Sequence, residues 1–388
     1  MNSGKYVFAQ LLSIVNSYEF DKCVKRYRGD YRTRDLNCWN QFAQLFFGQL
    51  TGRKGLRDIC LCLKAHKDKL YHLGIRQNVS HTSLSRANEN RDWRIFADFG
   101  TYLINIVQPL YSDRKVPNMD IGNDVFALDS TTISLSVTLF SWARGKYSRG
   151  AVKVHTLLDL RGNIPTFILV TDGRYNDMRA MDEIDMVPNA IYVMDKAYTD
   201  FNRLFRINKV NAFFVVPAKQ GTAFKVINSL TVDKTTGVKC DQTIRMSVHK
   251  TRHFYPEKLR RIKYFDQEKS ITLTFLTNNF DVSALEIAQL YKNRWQIELF
   301  FKWIKQNLQI KTLWGHSENA VNIHIWIAIC TYLIVAYLKI QIKSTLSIYE
   351  IMQILGISTF DKTPINELLT EKQIKQNVKE QRNLFNFS

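Results

Sequence analysis

Acidic residues are scarce in this chain: 35 Asp plus Glu stand against 54 Lys plus Arg in 388 residues, a formal net charge of +19. An excess of that size points to a polyanionic partner, because a positive field concentrates phosphate and speeds encounter. Cysteine is sparse and unpaired. Cys23, Cys38, Cys60, Cys62, Cys240 and Cys330 form no CxxC spacing, and the eight histidines are scattered. A disulfide framework and a zinc finger are therefore excluded, and the thiols read as reduced side chains of an intracellular protein. Repeats and low-complexity tracts are absent, and prolines number only 7. The first twenty residues carry no long apolar stretch with a cleavage site, so no secretory signal is expected. Long hydrophobic runs are missing too. The longest, residues 323–338, falls short of the roughly 18 to 20 residues that a span needs and contains His324, so a buried core helix and no membrane partner are expected.

What is present changes texture along the chain. The length allows two or three domains. Over residues 1–98 apolar residues recur at three- and four-residue spacing, as in Phe42, Leu45, Phe46 and Leu50, which predicts a helical domain. Ser80 or Thr82 is placed to cap a helix displaying Arg86, Asn88, Asn90 and Arg91. Arg and Asn pair well with base edges, so this is either a helix-turn-helix reader of DNA or an ordinary solvated face. From Val125 short apolar runs take over, at 125–128, 151–160, 164–170, 191–194 and 212–216, with a helix predicted over 177–186. That order predicts an α/β mixed sheet flanked by helices, its first part spanning 120–217. Residues 218–280 alternate and are polar, a β-rich insertion with strands near 244–248, 262–265 and 271–276. Its basic cluster includes Arg252, Arg260, Arg261 and Lys263, with Phe254 and Tyr255 embedded. The cluster suits DNA backbone contact and base stacking, and equally a solvated strand face.

The chemistry concentrates on three carboxylates. Asp129 and Asp195 each end an apolar run, an awkward place for an acid unless it caps a turn or binds something. Neighbouring parallel strands would bring both to one sheet edge. Ser283 and Glu286 form a capping-box pattern that opens a long helix. On it Tyr291, Arg294, Glu298 and Lys305 fall within a sector of roughly 60°, beside an apolar stripe of Leu290, Ile297, Phe301, Ile304 and Leu308. Three converging carboxylates repel one another unless cations neutralise them, and hard oxygen donors suit two Mg²⁺ or Mn²⁺ ions. Such a pair, about 4 Å apart, supports in-line displacement at phosphorus. Lys153, His155 and Asp177 are placed to support this site or merely to pack and cap.

The run YKNRWQIELFFKWIKQNL, with Tyr291, Arg294, Glu298 and Lys305 at Y-x2-R-x3-E-x6-K spacing, resembles the signature of bacterial insertion-sequence transposases of the family numbered four. ALDST around Asp129, VMDKAY around Asp195 and LTNN at 276–279 resemble that family's other blocks in the same order. The resemblance covers about residues 126–308, and the N-terminal region is similar to a helical domain that precedes the core in some members. It implies a ribonuclease H-like core with Asp129, Asp195 and Glu298 as metal ligands, and Tyr291, Arg294 and Lys305 as contacts to DNA near the scissile phosphate. One departure stands out. Some members use a tryptophan in the insertion to stack on a flipped base during hairpin formation, and this chain has none between Trp142 and Trp295. Phe254 or Tyr255 would have to substitute, or the hairpin step is not used.

The reading that results is a metal-dependent DDE transposase. It has a helical DNA-binding domain (1–98), a ribonuclease H-like core in two parts (120–217 and 281–342), the insertion (218–280) and a C-terminal helical region (343–388). Its expected partners are double-stranded DNA, as terminal repeats and target, and a second copy of itself in a symmetric synaptic dimer. Its expected location is the bacterial cytoplasm, associated with the nucleoid. The alternatives are a ribonuclease H-like nuclease without strand transfer and a non-catalytic DNA-binding regulator derived from a transposase.

Overall fold

The apolar runs that end at Asp129 and Asp195 are neighbouring parallel strands. In the computed structural model, which describes residues 4–136, 138–143, 145, 150–310 and 312–370, five strands make the central sheet. These are β1 (Val125–Leu135), β2 (Gly150–Asp159), β3 (Ile164–Asp172), β4 (Ile191–Met194) and β5 (Phe213–Pro217). They lie in the order β3-β2-β1-β4-β5. Strand β2 is antiparallel to both neighbours, while β4 is parallel to β1 and to β5. That is the ribonuclease H-like arrangement. Ile191, Tyr192, Val193 and Met194 are all buried, as expected for a central strand covered on both faces. The turn 161–163 joins β2 to β3 through Asn163 at φ 55°, a conformation that Asn tolerates well.

The β-rich insertion is not a separate module. Strands β6 (Phe224–Leu230), β7 (Val238–Met246), β8 (Leu259–Asp266) and β9 (Ile271–Thr277) continue the same sheet as β5-β9-β8-β7-β6. Val216 of β5 pairs with Leu276 of β9. Closing the outer edge of β5 in this way satisfies a row of backbone groups that would otherwise stay open. The LTNN block fixes the junction: Asn278 accepts from the Phe214 N–H (3.0 Å) and donates to the Ala212 carbonyl (2.9 Å). The strand expected over 244–248 closes at Met246, and a short helix, α8 (His249–Phe254), follows.

Two residues assigned to DNA in this region belong to the core instead. Arg260 is buried, with Nη2 2.7 Å and Nε 2.9 Å from the two Asp241 carboxylate oxygens, and Nη1 bonded to the Asn279 and Val282 carbonyls. A guanidinium with all three nitrogens engaged inside the protein holds strands together, and losing one partner of such a pair costs about 3–5 kcal/mol. Tyr255 is fully buried, its ring 5.3 Å from Phe205 and 6.1 Å from Phe214, so of the two aromatics only Phe254 is exposed.

The helix expected over 177–186 is a 3₁₀ segment, Asp177–Glu183, started by the Asn176 side chain. The long helix expected from Ser283 is two helices, α9 (Ala284–Asn293) and α10 (Trp295–Asn307), and the capping box at its start is present. At the break, three-residue bonds from Arg294 N to Tyr291 O and from Ile297 N to Arg294 O replace the α pattern. The apolar stripe survives it, with Leu290, Ile297, Phe301, Ile304 and Leu308 buried.

The described chain divides into two compact units. The sheet belongs to one, Tyr111–Val137 with Ala143–Phe301; the other comprises Met1–Leu110, Thr138–Trp142 and Lys302–Ser388. Residues 371–388 of the expected C-terminal region lie outside the described residues. The helical unit is organised around α11 (Glu318–Gln341), packed by α3 (Cys38–Leu50), α6 (Arg94–Val107) and α12 (Ile348–Ile357). By length and composition α11 is long enough to cross a membrane, yet 94% of its apolar window is buried inside the protein. It is the core helix expected from residues 323–338, with His324 held neutral at a pKa of about 3 by burial and bonded to Gln49 (3.0 Å) and the Trp314 N–H (3.2 Å). Gly100 of α6 lies against the Trp326 ring, where a Cβ would meet ring carbons at 2.6 Å, so only glycine allows this approach.

Ser80 caps α5 (His81–Asn90) as expected, accepting from Ser83 N at 3.1 Å. The helix before it, α4 (Leu56–Ala65), is separated by residues 66–80, too many for the three- or four-residue turn of a helix-turn-helix. Half of the expected reading face also turns inward. Gln41 donates to Asn88 (2.7 Å) and accepts from Arg91 (2.7 Å), which makes Arg91 a structural cation. Arg86 and Asn90 remain exposed.

Candidate active site

The register Leu128↔Met194 between parallel β1 and β4 makes Asp129 and Asp195 the next residues side by side, on strands about 4.8 Å apart. At Asp195 the strand gives way to a 3₁₀ turn over Lys196–Tyr198, which frees the carboxylate from the ladder. The third carboxylate arrives through the break between α9 and α10. Arg294, at that break, donates from Nη1 to Asp129 (3.1 Å) and from Nη2 to Glu298 (2.5 Å). One guanidinium thus carries the positive charge for two acids separated by 169 residues of chain.

The electrostatics follow from the crowding. Asp129 is pushed up to a pKa of about 6, chiefly by burial, and the charges of Asp195 and Glu298 push the same way; the Ser130 N–H and Arg294 oppose them. Burial likewise raises the Tyr291 hydroxyl, which feels Arg294, Asp195 and Glu298, and its ring lies 4.9 Å from Phe275. All three acids, with Tyr291 and Arg294, therefore share one electrostatic neighbourhood. Among the described residues no group of three or more His, Cys, Asp or Glu side chains is close enough to hold a metal ion. The chemistry of the donor set still fits a hard divalent cation: three carboxylates, one of them driven toward its neutral form chiefly by burial and further by the charges of the other two, with a single guanidinium between two of them.

Beneath Asp129 lies a polar layer that the sequence showed only in part. Asp177 accepts from Ser130 Oγ (2.8 Å) and Lys153 Nζ (3.0 Å), and lies 3.6 Å from His155 Nδ1. Burial holds His155 neutral, at a pKa of about 4, and Thr171 bonds its other nitrogen at 2.9 Å. Ser130 was missed, although it is the S of ALDST. So was Tyr198, whose buried hydroxyl lies within electrostatic reach of Asp129, Asp177 and Asp195. The Y of VMDKAY was its signal.

The other expected site residues scatter. Lys305 lies on the last turn of α10 and belongs to the helical unit. Arg252 and Lys263 are exposed, while Arg261 is half-buried, bonded to Gln242 (2.7 Å) and stacked on Phe224 at 4.9 Å.

Residues 121–334, more than half of the chain, match the family profile described as the transposase DDE domain. The chain belongs to that family. Residues 3–76 of this DDE-domain chain match a second profile, a domain of unknown function designated DUF4372. A protein of Sinorhizobium fredii named as transposase y4zB is 34% identical over 211 residues, 53% of this chain and 58% of that protein. One of Geobacillus stearothermophilus, named as transposase for insertion sequence element IS5377, is 29% identical over 56% of this chain and 57% of its own length. A Synechocystis protein, named as transposase for insertion sequence element IS4SA, is 27% identical over 68% and 73%. The match thus spans under three fifths of the first two relatives. A piggyBac transposase synaptic complex with hairpin DNA, solved by cryo-electron microscopy, covers 95% of this chain and 82% of its own at 11% identity and a TM-score of 0.45, a likeness too weak to bear on this chain.

The raised carboxylate has a stability consequence. A folded-state pKa of about 6 against an ordinary 3.8 means that the folded protein binds this proton more tightly, so stability falls as pH rises from about 4 to about 6. In chelator, Asp129→Asn is therefore expected to be more stable than wild type above pH 6, by at most about 3 kcal/mol, with the advantage gone by about pH 4. Thermal denaturation across that range checks this. A variant less stable than wild type at neutral pH contradicts it.

Proposed function

We infer that this chain is a transposase of the insertion-sequence family numbered four, which binds its element's ends, hydrolyses a strand to free a 3′ hydroxyl and transfers that hydroxyl to target DNA. The observation that carries the reading is the meeting of Asp129 and Asp195 at one end of two paired parallel strands, with Glu298 linked to Asp129 through Arg294. In this reading Asp129, Asp195 and Glu298 hold two Mg²⁺ or Mn²⁺ ions. When bound, such a pair supplies activation of the attacking oxygen and stabilisation of the leaving oxygen.

The protein's own part is to hold the acids and the DNA. Family membership supports phosphodiester chemistry, and the net charge of +19 supports a DNA partner. Tyr291 and Arg294 take the phosphates near the cut, Ser130, itself held by Asp177, positions Asp129, and Lys305, with exposed Arg252, Lys263 and Arg86, is assigned to DNA elsewhere along the chain. Phe254 is the exposed aromatic for an unpaired base. The working assembly is a homodimer joining two ends, in the bacterial cytoplasm.

The test uses a labelled, pre-cut terminal repeat taken from the DNA flanking the gene, a supercoiled plasmid and Mg²⁺. Label joined to the plasmid is the expected result. Nicking without joining would replace this reading with a nuclease, and neither product with a regulator.

A further inference from the structure

We propose that the domain of unknown function carries a docking site for the backbone of duplex DNA, formed by the exposed face of α4 and the segment that follows it. The proposal rests on the DNA reading above and assigns that partner to a surface. A concavity of about 860 Å³ opens here, lined by Arg57, Lys64, Lys67 and Arg76 together with Leu61 and Tyr71. No carboxylate lines it. Asp58 and Asp68, the acidic residues of the stretch, lie outside the lining, and Asp58 pairs with Arg53 at 3.7 Å.

The sequence builds this face by helical spacing. On α4 the buried residues are Leu56, Ile59, Cys60 and Leu63, whereas Arg57, Leu61 and Lys64 stand at i, i+4 and i+7 along one exposed flank. They form a stripe about 10 Å long, roughly three base-pair steps. Lys67 and Arg76 extend it beyond the helix.

Several other cations of the helical unit are neutralised by nearby carboxylates. Lys22 and Lys25 pair with Glu19 and Asp21, Arg26 pairs with Asp98, and Arg94 pairs with Asp92. Among the described residues none of the four groove cations is in an ion pair, and all four are exposed. Four like charges held together without counter-charge repel one another, so the arrangement favours a ligand that brings regularly spaced negative charge. Tyr71 is 82% exposed and Leu61 67%. An exposed tyrosine hydroxyl donates readily to phosphate, and the apolar surfaces match deoxyribose. A duplex supplies both.

The experiment measures affinity of the full chain for a long mixed-sequence DNA duplex as a function of NaCl. A variant combining Arg57→Ala, Lys64→Ala, Lys67→Ala and Arg76→Ala is compared with wild type, and Mg²⁺-dependent plasmid nicking is followed in parallel. Each phosphate contact contributes about 0.9 to the slope of log affinity against log salt. The variant is therefore expected to lose roughly 3 to 4 in slope and at least about tenfold in affinity at low salt. Because all four side chains are exposed, the fold should survive. The Lys22→Ala, Lys25→Ala control, whose lysines are already ion-paired, should retain the wild-type slope.

An unchanged slope in the fourfold variant overturns the site, as does an equal loss in the control, which would reduce the effect to net charge. A larger loss on duplex RNA than on DNA also overturns it. A wild type that shows the salt-sensitive binding but never nicks DNA would instead sink the catalytic reading and leave this surface standing.

Discussion

Glu298→Gln is expected to reduce strand cleavage by roughly a thousandfold or more while binding of duplex DNA stays within about twofold of wild type. The substitution keeps the shape of the side chain and its place on α10, and removes only the negative charge. Glu298 is two-thirds shielded, and its one described partner is Arg294, so no packing is lost. Asp129→Asn and Asp195→Asn should behave alike, because three donors serving one pair of ions act as a unit and their losses do not add. Gel assays of nicking and joining, with binding measured beside them, read the two effects separately. Cleavage retained at wild-type rate in any one of the three would remove that residue from the site.

The second large effect is expected at Arg294. With 13% of its side chain exposed, it faces Asp129 on one branch and Glu298 on the other. Arg294→Ala leaves two partly buried carboxylates facing each other without a cation. In chelator the variant should lose about 3 kcal/mol of stability relative to wild type. Added Mn²⁺ should raise its melting temperature more than it raises that of wild type, because the acids no longer have a competing guanidinium. Cleavage should still fall, since the same group is assigned to phosphate. An Arg294→Ala protein as stable as wild type in chelator, with the same response to Mn²⁺, would show that the bridge carries no weight.

Much of the sheet-bearing unit was readable in the chain. Strands β1, β4 and β5 are continuous apolar runs because both of their faces are covered, and such runs end where the burial ends, at Asp129 and Asp195. The capping box at Ser283 is a local pattern and was formed as read. What could not be read depended on long-range partners. Nothing near Arg260 signals that Asp241 lies opposite it across a strand pair, so a buried cation looked like a DNA contact. Tyr255 looked exposed among lysines and arginines, until α7 (Phe201–Lys209) and β5 supplied Phe205 and Phe214 to cover it. The break at Arg294 was invisible to helical periodicity, which runs through it without a glycine or proline. Yet that break places the residue whose two ion pairs join Asp129 to Glu298.

Divalent-ion binding by the three carboxylates is tested most directly by titrating Mn²⁺ into the chain bound to a pre-cut DNA end and counting the ions by electron paramagnetic resonance. Wild type should take up two coupled ions per subunit, and the Asp129→Asn, Asp195→Asn double variant on the same DNA should take up none in the same range. Equal uptake by both proteins would mean that the metal sits elsewhere, and that these three acids do not form the catalytic centre.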